Sequence, residues 1–345
     1  MSDPLRFLGR LIACGAVAAF CLAHARADPT TSARMRTEHG QSIVELQADD
    51  TTVRIAPQQG ANTFSIVCHG IEFVLQPEKL EAIAGVRCGV PILYPTPNRV
   101  RQATFVFAGK EYRFPPNAGP HFIHGLVCHS PWEVAGVGTD ALSAWVECVA
   151  DFREGTDLFR QFPFPHLLRL RISVRSRTVR WTYTVDNRQG TSSVPFGFAL
   201  HPYFLYQGTR EQTYLTIPAT HWMEAERQLP TGRLIPADEL DYPLGQPLRL
   251  SEHVLDDVFF GLTPDRPVTI EFRDVNRGIT IRHSPEFTHL VVWTPDRPFF
   301  GVESQTCSTD AHNLHSRGME EAAHLQICPP GETMSGWVEY ELDVP

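Results

Sequence analysis

The sequence predicts an all-β protein, a large antiparallel β-sandwich that occupies most of the chain as one domain. Run after run alternates apolar and polar residues, which is the period of a half-buried strand. The 345 residues include 28 prolines and 24 glycines that punctuate these runs, and hardly any stretch keeps helical periodicity for three turns. No repeat or low-complexity linker divides the chain, and sandwiches of this length commonly form a single unit.

Residues 166–186 show the alternation most clearly. Apolar residues occupy every second position from Leu168 to Val174, with Arg or Ser between them. After a turn at Ser176 and Arg177 the alternation resumes to the end of the segment, so we expect a hairpin whose apolar face is buried. Further strands are predicted at 43–46, 52–55, 268–272, 278–282, 289–293 and 337–342, and a short helix around 319–323.

The N-terminal residues have the pattern of a secretory signal peptide. Arg6 and Arg10 precede an apolar run at 11–23 that is too short for a transmembrane helix, and a small-x-small motif follows at 25–27. We therefore predict cleavage before Asp28 and a periplasmic or secreted mature protein. The predicted organisation is a signal peptide at 1–27, an N-terminal extension at 28–42 and one β-sandwich domain at 43–345.

The charge balance narrows the class of partner. The chain has 39 acidic and 30 basic residues and a formal net charge of -9. Nucleic acids and anionic membranes require clustered Lys and Arg, so we expect neither as a partner of the mature protein. A neutral small molecule remains compatible with this charge.

The cysteines do not predict a metal or redox site. Eight are present, and Cys14 and Cys21 belong to the predicted signal peptide. No C-x-x-C pair occurs among the others, and a core of this size does not need disulfides, so buried free thiols are favoured over pairing. The six are Cys68, Cys88, Cys128, Cys148, Cys307 and Cys328.

Two polar residues stand in apolar surroundings, where a charged side chain is costly. His201 lies in the aromatic run 195–204 and precedes Pro202, and an imidazole in a partly dry site can transfer protons near neutral pH. Glu303 follows the apolar residues 299–302, where an ionised carboxylate needs a partner. Taken alone, a residue of either kind is more often structural than catalytic, so these two positions by themselves do not identify a catalytic site.

Several different short motifs follow one another along the chain in a defined order. They are 91–95 leading to Asn98 and Arg99, 117–119, His124-Gly125, His201-Pro202-Tyr203-Phe204, 294–303 ending in Glu303, and 330–333. In this order and at this spacing they resemble the aldose 1-epimerase (galactose mutarotase) family, over residues 43–345. The resemblance implies the family fold, a galactose mutarotase-like antiparallel supersandwich, which agrees with the periodicity described above.

The resemblance also implies roles for five residues. Glu303 is similar to the family's general base and His201 to its general acid. Arg99 and His124 look like the residues that bind sugar hydroxyls and the oxygen on the ring side, and Asp256 looks like the carboxylate that binds a further hydroxyl. A monosaccharide substrate is implied, and no metal or organic cofactor.

The chemistry of anomer exchange requires these residue types. A base removes the proton of the C1 hydroxyl while an acid protonates the ring oxygen, and the two groups exchange roles when the ring closes again. A carboxylate and a histidine suit this exchange, and an arginine presents a fixed fork of donors to neighbouring oxygens.

Some assignments stay open at this point. Asp257 competes with Asp256 for the hydroxyl-binding role, and Phe259, three places after Asp256, favours Asp256 by the family pattern. For either Asp, the structural alternative is an unpartnered residue at a strand-end turn. An apolar platform for the C–H face of a sugar is offered by Phe196, Phe198, Tyr203 or Trp293, with core packing as the alternative for each.

Two departures from the family pattern leave the sugar unidentified. Ser304 stands where many relatives have Pro, and 308–313 resembles less studied bacterial branches. A non-catalytic carbohydrate-binding protein is therefore an alternative. So is a hexose-6-phosphate mutarotase, for which Arg99 and Arg101 are the nearby basic residues. A glycosidase is a weaker alternative, because hydrolysis generally uses two carboxylates.

Both a monomer and a dimer are compatible with the sequence.

Overall fold

The computed structural model describes Met1 and residues 30–345. The signal peptide and the cleavage before Asp28 lie outside the described residues and remain predictions. The predicted N-terminal extension at 28–42 lies partly inside them, and there it contributes a strand, Thr31–Glu38, that pairs along its whole length with the strand after it.

Short and medium strands account for most of the regular secondary structure in the described part of the chain. In order, the strands of the first half are β1 (Thr31–Glu38), β2 (Gln41–Ala48), β3 (Thr51–Ala56), β4 (Asn62–Cys68), β5 (Ile71–Glu72), β6 (Ile92–Leu93), β7 (Arg99–Val100), β8 (Thr104–Phe107), β9 (Lys110–Arg113), β10 (Phe122–Ile123), β11 (Glu133–Thr139), β12 (Ala144–Asp151), β13 (Leu167–Arg175) and β14 (Thr178–Asp186). Those of the second half are β15 (Val194–Phe196), β16 (Ala199–Leu200), β17 (Phe204–Leu205), β18 (Thr213–Thr216), β19 (His221–Glu226), β20 (Leu229–Pro236), β21 (Pro247–Arg249), β22 (Asp256–Phe260), β23 (Val268–Phe272), β24 (Arg277–His283), β25 (His289–Trp293), β26 (Phe299–Gln305), β27 (Gln326–Cys328) and β28 (Thr333–Asp343). Short α-helices occur at α1 (Asp157–Gln161), α2 (Ala311–Ser316) and α3 (Glu320–Ala323).

Two large antiparallel sheets dominate the molecule. A nine-stranded sheet has the order β11-β12-β13-β14-β28-β24-β23-β18-β21. An eight-stranded sheet has the order β20-β19-β22-β25-β26-β16-β6, with β17 added beside β26. A third sheet of five strands, β1 to β5, packs against β11, β12 and β13 of the nine-stranded sheet. The predicted large antiparallel β-sandwich is therefore confirmed.

The core lies between the two large sheets because each turns an apolar face toward the other. In β13, Leu168, Leu170, Ile172 and Val174 are buried. Aromatic pairs join the opposing faces: Tyr340 of β28 lies 5.3 Å from Phe204 of β17, and Phe272 of β23 lies 6.4 Å from Phe300 of β26, between ring centroids. One continuous hydrophobic cluster spans both sheets.

The predicted local elements agree with the structure in most places. The predicted hairpin is β13–β14, and the predicted strands at 268–272 and 289–293 coincide with β23 and β25. The helix expected around 319–323 is α3, whereas α1 and α2 were not predicted. The six cysteines after the predicted signal peptide are buried and unpaired, as expected. Within the described residues, no helix combines the length and apolar character needed to span a membrane.

Candidate active site

The candidate site lies on the face of the eight-stranded sheet that points away from the nine-stranded sheet. In β26, Phe300 and Val302 belong to the core, so Glu303 projects from the opposite face. Directly opposite pairs in the ladder share a face, and Glu303 pairs with Val291 of β25, which pairs with Val258 of β22. Of this row, Glu303 and Val291 line the site.

His201 and Glu303 are in direct contact. The Nε2 atom of His201 lies 3.2 Å from Oε1 of Glu303, and both side chains are buried. His201 follows β16, and its backbone N–H donates to the carbonyl of Pro91, which anchors the segment beside β6. The Nδ1 atom of His201 has no hydrogen-bond partner. The structure thus brings together the two residues that the sequence proposed as acid and base.

A small two-stranded ladder positions the next two candidates. Ile123 of β10 pairs with Arg99 of β7, and the backbone N–H of His124 donates to the carbonyl of Asn98. Asn98 and His124 have φ angles of 53° and 68°, a left-handed conformation that is uncommon outside glycine but that Asn and His adopt more often than most residues. Both residues line the site. The rings of His124 and His201 lie 5.2 Å apart, edge to face.

The structure separates the two neighbouring aspartates. Asp256 lines the cavity with Glu303, and its Oδ2 accepts a hydrogen bond from Nε2 of Gln228. Asp257 points to the other face, where its Oδ1 accepts from the indole N–H of Trp222 at 2.9 Å. Between the two, only Asp256 reaches the cavity, as the family pattern favoured.

These side chains surround one cavity of about 290 Å³. Its size is at the lower end of small-molecule sites, which suits a single sugar ring better than an oligosaccharide. All five predicted site residues line it. The full lining is Val86, Asn98, Arg99, Ile123, His124, His201, Tyr203, Gln228, Asp256, Val291, Trp293 and Glu303.

Two of the four aromatic residues considered as a platform for the sugar line the cavity. Tyr203 and Trp293 line the cavity, with ring centroids 5.9 Å apart, and Tyr203 stacks on His201 at 5.0 Å. Phe196 and Phe198 are fully buried in the core instead. Both pack against Tyr183 of the opposing sheet, so they were wrong candidates for this role.

Burial changes the protonation of the central pair. Desolvation raises the pKa of Glu303 from its ordinary 4.5 to about 8, while a hydrogen bond from Gln305 acts in the opposite direction. Desolvation lowers the pKa of His201 from 6.5 to about 4. The pKa of His124 lies well below its ordinary value because of burial and of the neighbouring His201 and Arg99. Between about pH 4 and pH 8 the pair His201–Glu303 therefore holds one proton.

Two glutamines were missed by the sequence analysis. Gln228 lies at the tip of the β19–β20 hairpin and contacts Asp256. Gln305 donates from Nε2 to Oε2 of Glu303 at 3.1 Å. A Gln two residues from Glu303 in a strand shares its face, so the spacing could have identified Gln305. No local pattern identifies Gln228, because its hairpin meets Asp256 only in the folded sheet.

Ser304, the departure from the family pattern, does not face the cavity. It pairs with Leu290, a core residue of β25, and is fully buried. Its hydroxyl has no hydrogen-bond partner. Since Glu303 and Ser304 project from opposite faces of β26, Ser304 lies on the core side of the strand.

The architecture defines a galactose mutarotase-like β-sandwich protein. A galactose mutarotase-like protein from Clostridium acetobutylicum, 21% identical, superposes with a TM-score of 0.80 over 92% of this chain and 99% of its own. Galactose 1-epimerase from Lactobacillus acidophilus, 14% identical, superposes with a TM-score of 0.72 over 91% and 99%. At these identities the likeness establishes the fold.

The sequence places the chain more narrowly. Residues 42–341 match the family model of aldose 1-epimerase, and the chain belongs to the aldose 1-epimerase family. Its relatives include YphB of Escherichia coli K12, described as uncharacterised, which is 29% identical over 281 residues, 78% of this chain and 89% of YphB. Galactose mutarotase of Mus musculus is 25% identical over 177 residues, 46% of each chain.

Proposed function

We propose that the protein is an aldose 1-epimerase that interconverts the α and β anomers of a free aldose. The observation that carries the proposal is the buried contact of 3.2 Å between His201 Nε2 and Glu303 Oε1 inside a cavity of sugar-ring size. The C1 hydroxyl and the ring oxygen of an aldose are bonded to the same carbon. An acid and a base that serve them must therefore be close neighbours.

The proposed reaction starts from ionised Glu303 and protonated His201. Glu303 takes the proton of the C1 hydroxyl, the electron pair forms the carbonyl, the bond from C1 to the ring oxygen breaks, and His201 protonates that oxygen. The open aldehyde rotates about the C1–C2 bond. Glu303 then returns its proton to the carbonyl oxygen while His201 removes one from the attacking hydroxyl. The pair carries one proton throughout, so no exchange with solvent is required.

Burial favours neutral Glu303 and neutral His201, and this neutral pair holds the same single proton as the ion pair. To form the ion pair, one proton moves from Glu303 to His201 at their contact. Arg99 and the hydroxyl groups of a bound sugar favour ionised Glu303 and oppose burial and the neighbouring Asp256, which disfavour it. As the family resemblance implies, Arg99 and His124 are assigned to sugar hydroxyls and the oxygen on the ring side, and Asp256 to a further hydroxyl.

Two observations support a free aldose over a phosphorylated one. Among the described cavity residues Arg99 is the single Lys or Arg. Arg101 is held outside, where its guanidinium faces Pro230 and Asp310. A phosphate group is bound by clustered basic groups, and this cavity lacks such a cluster.

The test is the optical rotation of freshly dissolved α-D-glucose and α-D-galactose, followed with wild-type protein and with Glu303→Gln. We expect wild type to accelerate relaxation beyond buffer and the variant to lose about 10²- to 10⁴-fold of that rate. Equal rates for wild type, variant and buffer would refute the enzyme. If sugars then bind in calorimetry without any acceleration, the protein is a non-catalytic carbohydrate-binding protein.

A further inference from the structure

Gln305 lies beside the proposed base at the end of β26. Its Nε2 donates to Oε2 of Glu303 at 3.1 Å, while the other carboxylate oxygen, Oε1, lies 3.2 Å from His201 Nε2. The carboxylate is thus held from both sides, with one oxygen for Gln305 and one for His201. A rotation of the carboxylate away from His201 would break the contact with Gln305.

Packing alone does not explain a glutamine at this position. Gln305 is fully buried, and its Oε1 has no hydrogen-bond partner. Its cross-strand neighbours are Ala199 and His289, and the ring nitrogens of His289 are engaged by Thr288 and Ala322. A buried amide oxygen without a partner destabilises the fold, whereas an apolar side chain of the same shape would not.

We propose that Gln305 is a positioning residue that aims Glu303 at His201 and favours its ionised form. The inference rests on the proposed function, since it concerns the base of that reaction. Ionised Glu303 accepts the amide N–H, and this hydrogen bond opposes the effect of burial on the carboxylate.

If Gln305 favours ionised Glu303, removal of its amide should change both kcat and the alkaline limit of activity. Without the amide donor, the pKa of Glu303 rises, and the single proton of the pair shifts from His201 to Glu303. The fraction of the pair present as ionised Glu303 and protonated His201 falls tenfold for each unit by which the pKa rises. A lower kcat and a higher alkaline limit of activity should therefore appear together.

The experiment compares Gln305→Met, which keeps the unbranched shape but removes the amide, with Ser304→Ala on the core side of the same strand. For Gln305→Met we expect kcat to fall about tenfold and the alkaline limb of the pH profile to move up by about one unit. The melting temperature should change little, because the lost hydrogen bond to Glu303 is offset by the removal of a buried unpartnered oxygen. Ser304→Ala should leave both pH limbs in place.

A fall in kcat without movement of the alkaline limb, or together with a clear loss of thermal stability, would assign Gln305 to packing and overturn the proposal. Unchanged kinetics would overturn it as well. The ¹³C resonance of the Glu303 carboxyl, titrated by NMR in wild type and Gln305→Met, tests it without activity. If wild type is inactive, the proposed function fails, and an unmoved carboxyl titration would then reject the effect of Gln305 separately.

Discussion

At the residue scale, the chemistry depends on two side chains whose pKa values burial has moved in opposite directions. The pKa of Glu303 rises to about 8 and that of His201 falls to about 4. A carboxyl group that keeps its proton beside a histidine that resists protonation makes a pair with one transferable proton over a wide pH range. The same burial excludes bulk water, which strengthens the contact between them.

The first prediction concerns the pH profile of activity. Below about pH 4 the pair gains a second proton and has no base, and above about pH 8 it loses its last proton and has no acid. We expect kcat/KM to be flat between these limits and to fall tenfold per pH unit outside them. Polarimetry in overlapping buffers measures it, and a single limb near pH 6.5 would contradict it.

The second prediction concerns stability. The folded pKa of Glu303 is raised, so its contribution to stability is present below its ordinary value of 4.5 and is lost as the pH rises to about 8. Gln at this position does not ionise and does not incur this loss. Between pH 6.5 and pH 8 the free energy of unfolding of Glu303→Gln should gain about 2 kcal/mol relative to wild type, at roughly 1.4 kcal/mol per unit.

Urea titrations of both proteins at the two pH values measure this difference. The pH window starts at 6.5 because His201 contributes to the pH dependence of the free energy of unfolding mainly below that pH. A difference that does not change with pH would show that Glu303 is ionised in the folded protein throughout this range.

At the element scale, the site is assembled by turns and short ladders that approach the outer face of the eight-stranded sheet. The β19–β20 hairpin brings Gln228 to Asp256, and the β7–β10 ladder brings Arg99 and His124 over Glu303. These elements are short, and several of their residues adopt left-handed backbone angles. Binding residues on connecting segments held by a rigid sheet are a common arrangement.

The third prediction concerns the tip of the hairpin. Arg227 and Gln228 form a two-residue turn with φ angles of 50° and 64°, which normally favours Gly or Asn. With Nε2 bound to Asp256, the amide oxygen of Gln228 is available to a sugar hydroxyl. Gln228→Ala should raise KM about three- to tenfold and leave kcat and both pH limbs unchanged. Arg227→Ala, at the other position of this turn, is the matched control, and an equal rise in KM for both variants would assign the effect to the turn itself.

The fourth prediction concerns Gly125, which follows His124. Its φ is 69°, and a Cβ atom there would lie 2.3 Å from the carbonyl oxygen of Tyr94. Gly125→Ala must therefore shift the backbone at His124, and we expect lower activity and a stability loss of more than about 1 kcal/mol. Gly119→Ala is the control, because Gly119 has a φ of 60° but open space around the new methyl group. Equal losses of stability in both variants would show that backbone conformation, not the contact with Tyr94, sets the cost.

At the scale of the whole molecule, the residues of the hydrophobic core and the residues of the candidate site lie on opposite faces of the eight-stranded sheet. The faces between the two large sheets hold the core, and the outer face of the eight-stranded sheet carries the cavity. Strand alternation allows β26 to serve both, with Phe300 and Val302 on one side and Glu303 and Gln305 on the other. A rigid strand that is packed on its core side suits residues that must be held within a fraction of an ångström.

The fifth prediction concerns the full chain. We propose that the protein is exported and cleaved before Asp28. Expressed in a Gram-negative host, the protein in the periplasmic fraction should begin at Asp28 by mass spectrometry of its N-terminus. Replacement of Ala27 by a large charged residue should prevent cleavage. Intact protein in the cytoplasm, starting at Met1, would contradict both export and processing.

Much of this molecule follows from local patterns. Period-two alternation identified the β13–β14 hairpin, β23 and β25, because a half-buried strand needs that spacing whatever surrounds it. The family resemblance brought forward His201, Glu303, Arg99, His124 and Asp256, and all five line one cavity. The short helices α1 and α2 were not predicted from the sequence, whereas the still shorter α3 was, so length alone does not decide which short helix a sequence reveals.

The sequence by itself determined the all-β class, the family and the two groups proposed as acid and base. Only the tertiary structure decided that these groups touch, that Tyr203 and Trp293 rather than Phe196 and Phe198 face the cavity, and that Gln228 and Gln305 join the site. The physical reason is that alternation and motif order are properties of neighbouring residues. Contact, burial and the pKa shifts that follow from them depend on strands far apart in the chain that meet in one sheet.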